Sequence, residues 1–465
     1  MKLQFFGAAE EVTGSCFLLQ LDNFNVLIDC GLIQGSFQDE KRNWEPFPFD
    51  VKDIDAIILT HAHLDHSGRI PLLVRSGFHG PIYCHPATKD LADILLTDSA
   101  FLFEKDAESE NRRRERQHQS LIQPLYTRQD VMDCLPLFQT LKYGRKLTIA
   151  PNVKIQFNDA GHILGSSIVE LWIEQKKFSK KLVFSGDLGH KGAPILHEPT
   201  YLEDANLVIM ESTYGDRNHR SWNDTWNELG AALHEAEKSQ GNILIPAFAI
   251  GRTQELLYTF KKHFEEWRLN QWEIFLDSPM AIEATKVYAK NWELYDNEAH
   301  TMIRQSGSPF SFPNIHLTES TVDSLGINQI RSGAIIIAGS GMCSGGRIRH
   351  HLKHNVWRRD CHIFIVGYQA KGTLGRQLVD GVDEISLWGE SIKVSAKIHT
   401  IGGLSAHADQ NGLLDWYGHF TTNPPVVLVH GEEKASSVLK DKLYEKYTVK
   451  AEVATYKMVI DLEII

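Results

Sequence analysis

Residues 54–68 read Ile54-Asp55-Ala56-Ile57-Ile58-Leu59-Thr60-His61-Ala62-His63-Leu64-Asp65-His66-Ser67-Gly68. A strand-sized apolar run ends in a loop that carries three histidines and an aspartate within six residues. Side chains this polar cannot all turn into a core without partners. A strand end followed by a helix start lets His61 and His63 converge on one point, while Asp65 and His66 turn toward a second point nearby. Imidazole nitrogen and carboxylate oxygen, with no thiolate, suit zinc, with manganese or iron as lesser candidates.

One zinc takes about four ligands, so a two-metal site needs more donors than this loop holds. Two stretches further along offer them in similar settings. His162 stands in Asp159-Ala160-Gly161-His162-Ile163-Leu164-Gly165-Ser166, and Asp187 in Phe184-Ser185-Gly186-Asp187-Leu188-Gly189. Each borders an expected strand and is flanked by glycine, which permits a tight turn and close approach of the backbone.

Outward from the histidine loop, Leu3 to Phe6, Cys16 to Leu21, Asn25 to Asp29 and Ala56 to Leu59 are expected strands. A second series is expected at Val153 to Phe157, Ile168 to Ile173, Leu182 to Phe184 and Leu207 to Met210. Two such series predict a sandwich of two sheets. A polar helix is expected from Ala87 to about His118; Arg112, Arg113, Arg114 and Arg116 alternate with glutamates there, the pattern of a solvated face rather than an RNA track. Between about Tyr214 and Val394 strands alternate with helices, which predicts a parallel sheet with helices on its faces and hence a distinct domain. Strands return at Val426 to Val429 and Lys450 to Thr455, with a helix around Ser436 to Tyr447.

The whole chain has 465 residues, 48 Lys plus Arg against 59 Asp plus Glu, a formal net charge of -11, and 22 histidines. That length allows about three domains. The acidic balance excludes a protein that coats nucleic acid by bulk charge, so any nucleic-acid chemistry must be local. Six cysteines, none in a Cys-x-x-Cys pair, are the pattern of a reduced intracellular protein. No apolar run reaches the 18 or so residues of a membrane span, and Met1 to Cys16 lacks the apolar core of a signal peptide; a cytoplasmic protein with no membrane association is expected.

The histidine loop, then Gly-His-Xaa-Xaa-Gly-Ser, then Ser-Gly-Asp, in this order, resemble the metallo-β-lactamase superfamily. That resemblance implies an αββα sandwich with two zinc ions between the sheets, and it makes Asp29 an outer organiser of the ligating histidines. Three later motifs narrow it: Glu211 in Met210-Glu211-Ser212-Thr213, His407 in Gly403-Leu404-Ser405-Ala406-His407-Ala408-Asp409, and His430 in Val427-Leu428-Val429-His430-Gly431. With the strand-helix insertion between the first and second of them, they are similar to motifs A, B and C of the β-CASP nucleases. That group includes the endonuclease subunit of the eukaryotic cleavage and polyadenylation factor, RNase J and compact prokaryotic relatives.

The resemblance covers essentially the whole chain and implies a fold of class α/β, a metallo-β-lactamase sandwich with an inserted α/β β-CASP domain. The expected boundaries are 1–213 and 394–465 for the sandwich and 214–393 for the insert. The family pattern assigns His61, His63 and His162 to one zinc, Asp65, His66 and His430 to the other, and Asp187 as a bridge. It implies hydrolysis of single-stranded RNA by a bridging hydroxide, with Asp65 at the reacting centre and His407 as general acid oriented by Glu211. A histidine at position 430 accompanies the RNA-processing rather than the DNA-repair members. Ser405 is expected to donate a hydrogen bond to the scissile phosphate.

Two glycine-bearing loops, Gly339 to Arg347 and Ala370 to Arg376, each precede an expected helix and suit a phosphate backbone. Ser344, Arg347, Lys371 and Arg376, together with Arg252, are therefore candidate RNA contacts. Neither loop has a Walker or dinucleotide fingerprint, so no nucleotide cofactor is expected. The runner-up activities are hydrolysis of a small ester or thioester on the same fold, and a catalytically silent RNA-binding scaffold. No KH-like extension or long tail is expected, and the chain reads as a monomer or a homodimer.

Overall fold

A computed structural model describes residues 1–175 and 178–464. The chain divides into two compact units, one formed by Met1–Lys191, Glu198–Asn218 and His407–Ile465, the other by Gly192–His197 and His219–Ala406.

Among the described residues the first unit contains two seven-stranded sheets. One runs in the order Val459–Asp461, Lys2–Phe5, Phe17–Gln20, Asn25–Ile28, Ala56–Ile58, Ile82–Cys84 and Phe138–Thr140. The other runs Ala451–Val453, Val426–Val429, Leu207–Glu211, Phe178–Phe184, Ser167–Gln175, Val153–Asp159 and Lys146–Ala150. The strand period of two decides which side chains meet between them. Leu3 and Phe5, Phe17 and Leu19, and Val26 and Ile28 from the first sheet share one buried cluster with Val153, Ile155 and Phe157, Val169 and Leu171, and Val427 and Val429 from the second.

Strands buried on both faces lose the alternation and read as continuous apolar runs, as Ala56-Ile57-Ile58 does. Their outer faces need cover, and helices provide it. Val426 and Leu428 turn away from the sandwich centre onto Leu413, Leu414 and Tyr417 of helix Gln410–Tyr417 and onto Leu439 and Leu443 of helix Glu433–Tyr447. The long helix Pro86–Arg116 lies beside Phe138–Thr140 of the opposite sheet. The layers are thus αββα, as expected.

The second unit is built on an all-parallel sheet in the order Ile315–Leu317, Glu273–Leu276, Ala334–Ala338, Ile243–Pro246, His362–Ile365 and Lys397–Thr400. Helices such as Arg252–Lys262, Pro279–Lys290 and Ile348–Asn355 fill the crossovers, the arrangement that parallel strands require. A separate hairpin, Glu384–Leu387 with Glu390–Lys393, buries Ile385, Leu387 and Ile392 against the sheet's apolar cluster. Among the described residues, no helix is long and apolar enough to cross a membrane.

Candidate metal centre

The strands that carry the candidate ligands run in one direction. Asn25–Ile28 is parallel to Ala56–Ile58, and Phe178–Phe184 is parallel to Leu207–Glu211, which is parallel to Val426–Val429. Their carboxyl ends therefore open on one rim of the sandwich, and Asp29, His61, Asp187, Glu211 and His430 all follow or close them. Two glycines let the rim loops touch. A Cβ on Gly31 would fall 1.6 Å from the Asp65 carbonyl oxygen, and one on Gly189 would fall 1.9 Å from that of Gly161. Asp29 and His430 both take left-handed backbone, at φ 61° and 52°, a conformation uncommon outside glycine that swings each side chain off its strand end.

The structure brings all seven expected ligands together. His61 Nε2 and His63 Nδ1 lie 3.2 Å apart, and His162 Nε2 is 3.1 Å from His63 Nδ1. Asp187 Oδ2 sits 3.4 Å from His61 Nε2 and 3.6 Å from His162 Nε2. Its other oxygen, Oδ1, is 3.3 Å from His66 Nε2 and 3.6 Å from His430 Nε2, and Asp65 Oδ2 is 3.4 Å from that same His430 nitrogen. One carboxylate thus faces two groups of donors, His61, His63 and His162 on one side and Asp65, His66 and His430 on the other.

Outer partners fix how these rings point. Asp29 accepts at 2.7 Å from His66 Nδ1, and the same carboxylate accepts the Thr60 backbone N–H and hydroxyl at 2.8 and 2.9 Å. Because the Thr60 hydroxyl hydrogen goes to Asp29, its oxygen accepts from His61 Nδ1, 3.1 Å away. Thr213 does the same for His430 Nδ1 at 3.0 Å while donating to the His430 carbonyl. In each case Nδ1 is held from outside and Nε2 is aimed at the centre. Ser166 accepts the backbone N–H of His162 through Oγ, and Tyr143 donates to the Ser166 carbonyl at 2.7 Å.

Thr60, Thr213 and Tyr143 were not among the residues expected from sequence. Thr60 directly precedes the histidine loop and Thr213 directly follows Glu211-Ser212, so adjacency to a ligand strand was the available signal. Thr60→Val keeps the shape of the side chain and removes the hydroxyl link between His61 and Asp29. Metal affinity is expected to fall about 10- to 100-fold in competition with a chromophoric chelator. An unchanged affinity would show that Asp29 orients His66 without help from Thr60.

Burial pushes His63 down to about 4 against the pull of Asp65 and Asp187, and burial together with the neighbouring His66 holds His61 well below the usual imidazole range, so both offer lone pairs at neutral pH. Burial opposes charge on His66 as well, but Asp187 and Asp29 on either side outweigh it and make a positive charge favourable at that position. For Asp65, burial is overcome by His430 and His66, which hold its carboxyl below the usual range. Two buried atoms at the centre, Asp187 Oδ1 and His430 Nε2, have no hydrogen-bond partner. Buried polar atoms are otherwise almost always paired. Donor atoms of His61, His63, His162 and Asp187 lie within 4.8 Å of one another, as do those of Asp65, His66 and His430. Nitrogen and carboxylate donors at this spacing, with orphaned atoms between them, fit metal ions of the zinc type.

His407 stands beside this cluster, its ring 4.5 Å from that of His162. Its Nδ1 is 3.2 Å from each oxygen of Glu211, a fully buried carboxylate that also accepts the Leu188 N–H at 2.6 Å. Ser185 Oγ in turn accepts the Glu211 N–H. Burial works against a charge on His407, but Glu211, and then Asp187 and Asp65, raise it to about 9.

The remaining candidates, Ser344, Arg347, Lys371, Arg376, Arg252 and Ser405, all belong to the second unit. Ser344 and Lys371 are exposed, and Arg376 is exposed but paired with Asp380. Arg347 and Arg252 differ from expectation. Arg347 donates inward at 2.7 Å to the fully buried Asp277 and to the carbonyls of Thr318 and Glu319. Asp277 also receives His351 and Ser324. A buried carboxylate needs that cation, so the guanidinium serves the domain interior. Arg252 is only 8% exposed, pairs with Glu255 and donates to the Leu404 carbonyl at 2.7 Å. It anchors the segment that contains Ser405.

Comparison with known proteins agrees with the geometry. The Metallo-beta-lactamase superfamily domain profile matches residues 18–212, the Beta-Casp domain 253–378, and the Zn-dependent metallo-hydrolase RNA specificity domain 391–454. The chain is 38% identical to Ribonuclease TTHA0252 of Thermus thermophilus, over 93% of this chain and 94% of that protein. It is 33% identical to Transcription termination factor FttA of Thermococcus kodakarensis, over 97% of this chain and 69% of that protein. A crystal structure of a protein of unknown function from Enterococcus faecalis shares the fold, with a TM-score of 0.54 at 11% identity and 99% of each chain covered. A rim of histidines and aspartates on an αββα sandwich, an α/β insert and Glu211 against His407 come together here because the chain belongs to the β-CASP family of metallo-β-lactamase-fold hydrolases.

Proposed function

We propose that the protein is a ribonuclease that holds two zinc ions and hydrolyses phosphodiester bonds of single-stranded RNA, with His407 as the proton donor. The observation that carries this reading is the Asp187 carboxylate, whose two oxygens face separate donor groups, beside an imidazole anchored on a buried glutamate. The names of its relatives, a ribonuclease and transcription termination factors, and the RNA specificity domain support RNA as the substrate.

His61, His63 and His162 would hold one ion, Asp65, His66 and His430 the other, and Asp187 both. Bound zinc supplies positive charge for a phosphate oxygen and lowers the pKa of water toward neutral. Glu211 keeps the Nδ1 side of His407, so the proton for the departing ribose oxygen is carried at Nε2. Glu211 also favours the protonated ring, which His407 must carry to act as an acid near neutral pH. Asp29, Thr60 and Thr213 keep the ligating rings in place through the cycle. Ser405, Ser344, Lys371 and Arg376 are assigned to the RNA backbone; the exposed Arg376–Asp380 pair contributes little and can be exchanged for phosphate.

The test is cleavage of RNA labelled at either end, in zinc and after chelation. Cleavage should stop in the chelator and return with added zinc, the fragment pattern separating internal cuts from release at the 5′ end. Cleavage that continues in the chelator rejects the metal mechanism.

A further inference from the structure

Helix Ile348–Asn355 and the residues after it, Ile348 to Arg359, contain arginine, lysine and histidine but no acidic residue. His350, Lys353 and His354 share one face of the helix by their spacing, and Trp357 stands in the turn just past its end. Trp357 is 50% exposed. The hairpin Glu384–Leu387 and Glu390–Lys393 adds a second indole to this face. Leu387 pairs with Glu390, so Trp388 and Gly389 form a two-residue turn, with φ of 51° and 84°. Such turns ordinarily take Asn-Gly or Asp-Gly, because a bulky side chain is disfavoured at positive φ.

Trp388 nevertheless occupies the turn and is 53% exposed. The Arg349 guanidinium lies 4.8 Å from its ring centroid, and the His350 ring 4.5 Å away at 32°. Glu390 is paired with Lys353 and so offsets part of the charge. Among the described residues of this helix and hairpin, the large apolar side chains that reach solvent are these two tryptophans; no exposed aliphatic anchor accompanies them.

We propose that Trp388 and Trp357, with Arg349 and Lys353, form a stacking platform for single-stranded RNA, separate from the residues assigned to hydrolysis. Single-stranded nucleic acid is bound by a cationic track set with aromatic rings, because every base has a face to stack and every linkage a negative charge. A protein-docking patch of this size would present aliphatic as well as aromatic contacts at its centre. The platform takes hold of RNA too long for the catalytic residues alone. It rests on the reading of the chain as an enzyme acting on RNA.

The test uses the zinc-loaded full chain and two RNAs. One is a fluorescent phosphorothioate oligouridylate of about thirty nucleotides, read by anisotropy; the other is a cleavable RNA of about four nucleotides. Trp388→Ala combined with Trp357→Ala should weaken binding of the long RNA about tenfold or more and leave the cleavage rate of the short one unchanged. Arg349→Gln with Lys353→Gln, which keeps both rings, should weaken the same binding with a shallower salt dependence. Affinity for the long RNA within about twofold of the parent in both double variants overturns the proposal. So does a loss of self-association in sedimentation with RNA affinity unchanged, which would assign the face to a second copy of the chain. If the parent leaves the short RNA uncut while the binding losses appear, the hydrolytic reading fails and the platform stands.

Discussion

Asp187→Ala is expected to lower RNA cleavage by about a thousandfold or more, equivalent to at least 4 kcal/mol or so of transition-state stabilisation, and to lower bound zinc. Asp187 addresses both donor groups, one carboxylate oxygen lying against His61 and His162 and the other against His66 and His430. Alanine leaves His61, His63 and His162 with no carboxylate among them and leaves Asp65 as the one anion of the other group. Elemental analysis of the purified variant should show less than the parent's zinc, and added zinc should not restore the rate. Parental zinc content with activity within about tenfold of the parent would remove Asp187 from the bridging role.

His407→Ala should behave differently. In the proposed mechanism its ring contributes a proton, so turnover is expected to fall about 10²- to 10⁴-fold while zinc content stays at the parental level. A loss below about tenfold would mean that His407 is a buried, satisfied histidine and not the acid. Glu211→Gln supplies the sign. Glu211 raises the proton affinity of His407, so its loss lowers that affinity. An acid must be protonated to work, and the high-pH limb of the rate profile should therefore move to lower pH. The value of about 9 is that of the ring beside its carboxylates alone, and bound cations would draw it toward neutral. Movement of the limb to higher pH in Glu211→Gln would contradict the assignment.

The metal rim was legible because its chemistry is written in adjacent residues: a loop with three histidines needs no tertiary information to stand out. The threonines behind the ligands were not, because a hydroxyl next to a histidine has many uses, and only the folded chain shows that Thr60 lies between His61 and Asp29. For Arg347 and Arg252 the sequence hides the intramolecular partners that already engage the guanidinium. A basic residue at the edge of a glycine loop looks like a phosphate contact until Asp277, far away in sequence, is seen to be buried beneath Arg347.

The same contrast holds for the strands. A central run such as Val426–Val429 has the bounds expected of it. Phe138–Thr140, Lys146–Ala150, Ile315–Leu317, Lys397–Thr400 and Val459–Asp461 did not stand out. Each is a sheet edge, short and half in solvent, where one covered face imposes little pattern on the side chains. Ile82–Cys84 lies inside its sheet but is only three residues long.

The first unit is interrupted in the chain, resuming at His407 after the whole of His219–Ala406. Strand Val426–Val429 is the neighbour that completes the pairing of Leu207–Glu211, and His430 follows it. During synthesis the ribosome therefore releases six of the seven proposed ligands, together with Glu211, long before His407 and His430 exist. Until residue 430 has been made, a nascent chain lacks the means to cut RNA, including the message from which it is being translated.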